Sequence, residues 1–405
     1  MSPSFIFTLS VLFSLYALPM EKLFLVLSGL LVCDVIIQES RFRVNLFPGT
    51  GIYLYFLITG MAIGLYNMSI QNCPPRYVLK DMVYALFPLL FWLVGKNTAP
   101  SKAGGITNLF IAGTVVSCYD LAGSLLKIFQ HGVSEMTRYQ YRRMIGAGHP
   151  LTVITLFLYI YMPKNTKIKK KPVYGCIVIL LADLLIHFSR ITLLNTCIFV
   201  LYLKILKSPV KFFSYAAGAS AGLAAAYGAF PAVFHSFMER LANSLTEISH
   251  ANDPWNHIAI VTNWRGYEVY CELQKFRQAG MIEQILGGGF GAQLDVQGKA
   301  YLVTTEPTLP FLHNGYFSIL MIWGISGCAA YILLLIALYL RNRVLAEGEK
   351  QFWKALVMII AVDTIFVHGL FFSTGIAGVF LYLGVLEGVC KTTHTTRRPP
   401  MKMNF

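Results

Sequence analysis

The feature that most restricts this chain is its long apolar runs, such as 52–68 and 355–372, in which apolar side chains follow one another with few polar interruptions. One aqueous core cannot hide so much apolar surface. Lipid as solvent leaves only helices or a closed barrel, because every backbone polar group must then be satisfied within the chain. Barrel strands alternate lipid-facing and lumen-facing residues, so near-continuous runs exclude a barrel and predict an all-α, polytopic membrane protein. Composition agrees: 56% of the 405 residues are hydrophobic and 13% charged, against roughly 25% charged in a soluble domain.

Runs of spanning length fall at 4–18, 22–39, 50–68, 80–95, 106–127, 150–163, 173–188, 191–206, 212–230, 313–340, 353–372 and 374–390, which predicts about twelve transmembrane helices. The first run lacks a basic segment before it and a small-residue cleavage pattern after it, so it reads as a membrane helix, not a cleaved signal. The densest short basic loop, with Lys164, Lys167, Lys169, Lys170 and Lys171, belongs on the cytoplasmic side. Counting outward from it puts the basic groups around Arg41, Lys96, Lys204 and Arg341 inside too, together with both termini.

The resulting organisation is 1–172 (helices 1–6, with a basic outside loop at 128–149), 173–230 (helices 7–9), a large outside loop at 231–312, 313–390 (helices 10–12), and a tail at 391–405. Within the large loop, 257–286 reads as one amphipathic helix, with Ile260, Trp264, Tyr267, Cys271 and Phe276 as its apolar stripe. Gly287, Gly288 and Gly289 end it. Cys73 and Cys271 fall outside the membrane, either paired or as two free thiols, and no cysteine has metal-ligand spacing.

Net charge is +14, and its placement distinguishes nucleic acid from anionic lipid or substrate. Arg138, Arg142, Arg143, Arg190, Arg240, Arg265 and Arg277 all gather on the outside, where Arg and Lys are normally sparse. A guanidinium offers a bidentate fork to phosphate oxygens, so this set suits a lipid diphosphate and not nucleic acid. The alternative for any one of them is a loop residue touching lipid headgroups. Arg190 stands between two apolar runs with little loop around it, which is costly unless it faces a cavity or snorkels at a helix end. Asp183 and His187 share its face and are placed to orient it.

His313 falls at the outer start of the tenth helix. Its ordinary pKa of ~6.5 lets it accept a proton near neutrality. Asn314 follows it, and Gly324 and Gly327 are spaced to admit a neighbouring helix. Glu268 and Glu272 lie four apart, as an acid/base pair or as solvated charges. The Gly287 to Gly291 element could bring backbone amides to a phosphate, or could simply stop a helix. It has no nucleotide-binding Lys. Asp34, Asp120, Asp183, Asp363 and His368 lie inside the expected spans, as a proton path or as partners of helix-end cations.

The order Ser189-Arg190-x-x-x-Leu194 at a helix junction, Trp264-Arg265-x-x-Glu268 and Gly-Phe-Gly in a large outside loop, then His313-Asn314-x9-Gly324-x-x-Gly327, resembles the superfamily of O-antigen polymerases and O-antigen ligases. The motifs cover about 173 to 340 and the topology covers the whole chain. The resemblance implies a GT-C-type integral glycosyltransferase of the bacterial inner membrane with its site facing the periplasm. It also implies an undecaprenyl-diphosphate glycan donor, no cofactor and no metal. Arg190 and Arg265 would hold the donor diphosphate and His313 would activate the acceptor hydroxyl. Arg138, Arg142, Arg143, Arg277, Asn314 and Glu268 would be further substrate contacts. The basic loop around Arg142, the Arg277-x10-Gly288 spacing and the aromatic content tilt the resemblance toward the polymerase, whose partners would be a second lipid-linked oligosaccharide and a chain-length regulator. A transporter of lipid-linked saccharides is the alternative of another class.

Overall fold

The computed structural model describes residues 3–19, 22–30, 47–70, 73–97, 102–131, 150–161, 170–187, 189–202, 255–302, 307–341 and 347–395, with isolated positions between them. Among these residues there is no β-strand, and one isolated bridge joins Leu294 to Leu309. The helices are α1 (Pro3–Ala17), α2 (Thr50–Ile70), α3 (Pro75–Asn97), α4 (Lys102–His131), α5 (Pro150–Tyr161), α6 (Lys170–Ile186), α7 (Arg190–Tyr202), α8 (His257–Thr262), α9 (Trp264–Gln278), α10 (Met281–Leu286), α11 (Gly315–Leu340), α12 (Glu347–Phe366), α13 (Thr374–Ala377) and α14 (Val379–Thr395). Segments 50–70, 75–96, 105–131 and 315–340 are long and apolar enough to cross a membrane, and shorter apolar helices accompany them. The chain is a membrane-embedded α-helical protein.

These four cover the apolar runs expected at 50–68, 80–95, 106–127 and 313–340. The run expected at 353–372 forms a helix that stops at Phe366, because Gly369 turns the chain at φ +78°. His368 therefore lies in the turn beyond the helix. The run at 212–230 lies outside the described residues apart from isolated positions, and so, without exception, do Asp34, Arg138, Arg142, Arg143 and Arg240.

Packing relies on aromatic side chains and on glycines where helices cross. Phe56, Trp323, Phe371, Phe372 and Phe290 are buried together, with Trp323 edge-on to Phe56 at 5.1 Å and to Phe290 at 5.7 Å. Such ring pairs add about 0.5–1.5 kcal/mol each beyond their burial. Helices α3 and α14 touch backbone to backbone: a Cβ on Gly95 would lie 2.2 Å from the Leu381 carbonyl oxygen, and one on Gly384 would lie 2.4 Å from that of Trp92.

The amphipathic helix expected over 257–286 is three helices. Asn263 breaks the first junction: it ends α8, and its side chain accepts the Gly266 N–H to cap α9. Ala279 and Gly280, both extended, break the second. Cys73 and Cys271 are separate free thiols, Cys73 facing the Gly291 carbonyl at 3.4 Å.

The glycine element does not cradle an anion. Gly288 N–H donates to Met321 O at 2.9 Å, Gly289 N–H to Ile322 O at 2.8 Å and Phe290 N–H to Gly60 O at 2.8 Å. Gly291 N–H donates to the Asp81 carboxylate at 2.8 Å. The carbonyls on α11 are free to accept because Gly324, at φ 62° and ψ −160°, breaks that helix. A regular helix would return Met321 O and Ile322 O to residues 325 and 326. Gly324 thus admits the backbone of α10, whose Ile285 carbonyl group would lie 2.5 Å from a Cβ there, while Gly327 packs on its own Trp323. Neither receives a neighbouring spanning helix, as their spacing had led one to expect.

Candidate functional site

The Glu268 carboxylate on α9 and the segment before α11 meet in one place. Glu268 is 1% exposed, and both its oxygens are used. Oε2 accepts the His313 backbone N–H at 2.9 Å. Oε1 lies 2.8 Å from His313 Nδ1 and also accepts the Trp264 indole N–H. Carboxylate and imidazole are thus fixed by three donors, one of them the backbone of the histidine itself. With Nδ1–H committed to Glu268, Nε2 is the ring nitrogen left to take a proton, on a side chain that is 39% exposed. A carboxylate that fixes tautomer and orientation in this way is the usual support of a general base.

The rest of the segment is equally tied. Leu312 N–H donates to Ser318 Oγ at 2.9 Å, and Gly315 N–H to Val367 O at 3.0 Å. Asn314 caps α11, its Oδ1 accepting the Tyr316 N–H at 3.0 Å. That use explains Asn314 without a substrate contact.

His368, which no motif singled out, is the histidine's closest aromatic neighbour, with ring centroids 5.0 Å apart. Its Nδ1 donates to Leu312 O at 2.8 Å. Burial pushes its pKa down to about 4; the charges of His313 and, more weakly, Arg265 act in the same direction against the Leu312 carbonyl and Glu268. His368 is therefore neutral and holds the His313 segment without competing for its proton. Phe311 lies edge-on to His368 at 4.5 Å, and Lys80 Nζ sits 4.9 Å from the Phe311 ring centre. Lys80 was missed because an isolated Lys near the start of a spanning helix carries no sequence signal.

Arg265 is half-buried one turn ahead of Glu268 on α9, close enough for its charge to act on His368. Arg190 opens α7, and α7 is registered against α12 by Asn195 Nδ2 donating to Asp363 Oδ2 at 3.1 Å. The structure thus brings His313 and Glu268 together, with Arg265 one turn ahead of Glu268, and Arg190 opens a helix that packs on α12, itself packed on α11. Arg277 is exposed in the last turn of α9, nine residues beyond Glu268, which faces His313.

Asp120, Asp183 and His187 offer ligand-type atoms within 4.8 Å of one another. Both ring nitrogens are engaged, however: Nδ1 faces the Asp183 carbonyl at 3.1 Å and its carboxylate at 3.0 Å, and Nε2 faces Ser124 Oγ at 3.0 Å and Asp120 at 3.6 Å. Thr152 donates to Asp183 at 3.0 Å. An imidazole between two acids fastens α4, α5 and α6 just before Arg190, and the geometry leaves no ring nitrogen open.

Glu272, the other candidate of the carboxylate pair, is 2% exposed, not solvated, and its Oε2 has no hydrogen-bond partner. It sits with Lys275, Phe276, Glu283, Leu320 and Met321. Burial pushes its pKa up to about 7, with Lys275 opposing and Glu283 adding. The folded state thus binds this proton more tightly than the unfolded chain at its usual 4.5. Its contribution is fully present below pH 4.5 and is lost as pH rises through about 7. Glu272→Gln is expected to flatten that decline and to stabilise the protein at pH 8 by about 2 kcal/mol, read from melting curves of the detergent-solubilised protein between pH 5 and 8.

Compared with protein-family models and with characterised proteins, the chain matches none.

Proposed function

We propose that the protein is an inverting glycosyltransferase that joins undecaprenyl-diphosphate-linked oligosaccharide units at the periplasmic face of the bacterial inner membrane, with about twelve spans and both termini cytoplasmic. The observation that carries the reading is the Glu268–His313 pair, held rigidly and partly open, with Arg265 beside it. His313 Nε2 takes the proton of the acceptor hydroxyl as its oxygen attacks the anomeric carbon. The bond from that carbon to the diphosphate oxygen breaks, and the electron pair leaves with the undecaprenyl diphosphate. Arg265 and Arg190 stabilise the charge that develops on the leaving group. Attack opposite the leaving group inverts the anomeric centre.

The partners are then two lipid-linked oligosaccharides, one as donor and one as acceptor, with a chain-length regulator setting how often the cycle repeats. Arg265→Ala and Arg190→Ala in a strain lacking the native gene are expected to limit surface glycan to a single repeat unit. Loss of one guanidinium from a desolvated diphosphate costs about 2–4 kcal/mol, a rate loss of about tens- to hundreds-fold. A full ladder of chain lengths from either strain overturns the assignment. Loss of attachment of every unit, single repeats included, identifies a ligase that transfers the glycan to the lipid A core. Glycan that no longer reaches the periplasm identifies a transporter.

A further inference from the structure

We infer that residues 281–291 form a re-entrant membrane segment, in which the apolar face of α10 seats against the acyl chains of the outer leaflet. Sequence alone puts this stretch in a water-exposed loop. Its contacts place it deep against α11 and α2. Ser326, eleven residues into α11, donates to Ile285 O at 2.6 Å, and its hydroxyl also meets Tyr55 Oη of α2 at 2.6 Å. At 1.5 Å per residue that point lies roughly 16 Å below the outer start of α11, about half of a ~30 Å hydrocarbon core.

From there the chain climbs back. Gly288 and Gly289 bond to Met321 O and Ile322 O, Phe290 bonds to Gly60 O, and Gly291 reaches Asp81 in the second turn of α3. Asn67 Nδ2 donates to the Gly288 carbonyl at 2.8 Å. Non-helical backbone at membrane depth is tolerated only where protein satisfies its polar groups, and here each amide from 288 to 291 that enters the cleft finds an acceptor.

Three of the four exposed side chains of α10 are apolar. Met281 is 76% exposed, Ile282 77% and Ile285 41%, beside the exposed Ile325 of the spanning helix α11. The lipid-facing side of α11 therefore continues onto α10 at the same depth. Glu283, also exposed, stands at the rim of the hollow that holds Lys275, and the half-buried Gln284 turns inward, its Nε2 donating to Phe276 O at 3.0 Å. Arg277, in the last turn of α9 four residues before α10, is exposed, and a long cationic side chain there can reach an outer headgroup phosphate. The inference stands independently of the transferase reading.

The test places benzoyl-phenylalanine at Ile282, Ile285 or Gln278 of the full chain, reconstituted in vesicles of radiolabelled phosphatidylethanolamine and phosphatidylglycerol, with Ile332 of α11 as the lipid-facing reference. Irradiation is expected to give lipid adducts at 282 and 285 at a yield within about twofold of that at 332, and at least tenfold less at 278. No adduct at 282 when 332 gives one overturns the proposal. An adduct at 282 that appears only after a polyprenyl diphosphate is added also overturns it, in favour of a groove for that lipid alone. A poorly folding variant is recognised by its elution in detergent, and the neighbouring position 285 then decides by the same criterion.

Discussion

His313→Ala is expected to lower glycosyl transfer by about 10²–10⁴-fold, the range for loss of a general base, and to leave surface glycan at one repeat unit. On the proposed mechanism the loss should fall on kcat, with little change in KM, because the imidazole would act on the hydroxyl proton while Arg265 and Arg190 would hold the diphosphate. Glu268→Gln is the sharper companion. It keeps the size of the side chain and one acceptor, but it removes the charge that faces Nδ1 at 2.8 Å. It also puts an amide NH2 opposite either the backbone N–H of His313 or its ring N–H. Turnover should fall about tens- to hundreds-fold, because the imidazole loses the carboxylate that fixes its tautomer and orientation. In vitro chain extension from purified lipid-linked repeat units measures both. A variant with normal turnover would remove the pair from the mechanism.

The second large effect concerns stability. Gly324 and Gly287 combine φ values of 62° and 73° with ψ near 180°, a region that only glycine occupies without strain of about 1–3 kcal/mol. A Cβ on Gly324 would also meet the Ile285 backbone at 2.5 Å, and one on Gly287 the Ile322 carbonyl carbon at 2.4 Å. Backbone cannot move aside as a flexible side chain can. Gly324→Ala and Gly287→Ala are each expected to cost about 3–5 kcal/mol, seen as a large fall in melting temperature and in the folded fraction recovered in detergent. Gly175→Ala, on a helical glycine with nothing within 4 Å, is the control. It should be neutral or stabilising by up to ~1 kcal/mol. Equal behaviour of all three would show that α10 is not wedged into α11.

The same glycines show where reading the chain without its structure succeeded and where it did not. The signal at Gly287 was a helix stop followed by a tight turn, and both are present; that at Gly324 was room for a neighbouring spanning helix, a place taken instead by the backbone of α10. The partner of that turn was illegible, because the break in α11 at Gly324 is compensated only by amides some thirty-five residues upstream. His313 and Glu268 were each visible as candidates, one at a helix start and one on an amphipathic face, but nothing in their spacing said that they touch. His368 was placed inside a span because its neighbours are apolar. A turn at Gly369 and a hydrogen bond to Leu312 moved it to the site. Glu272 was read as half of a solvated pair, and burial against α11 separated it from Glu268.

Apolar run length depends on each residue's own transfer energy between water and lipid, so the sequence by itself determined that this is a helical membrane protein and where the helices at 50–70, 75–96, 105–131 and 315–340 run. Which side chains share a site depends on the crossings of α9, α11 and α12, which are decided by glycine contacts and single buried hydrogen bonds between residues far apart in the chain. Those pairings add little to any local pattern, since each is a net ~1 kcal/mol contact made only after the helices have packed. Only the tertiary structure could decide that the carboxylate of Glu268 belongs to His313.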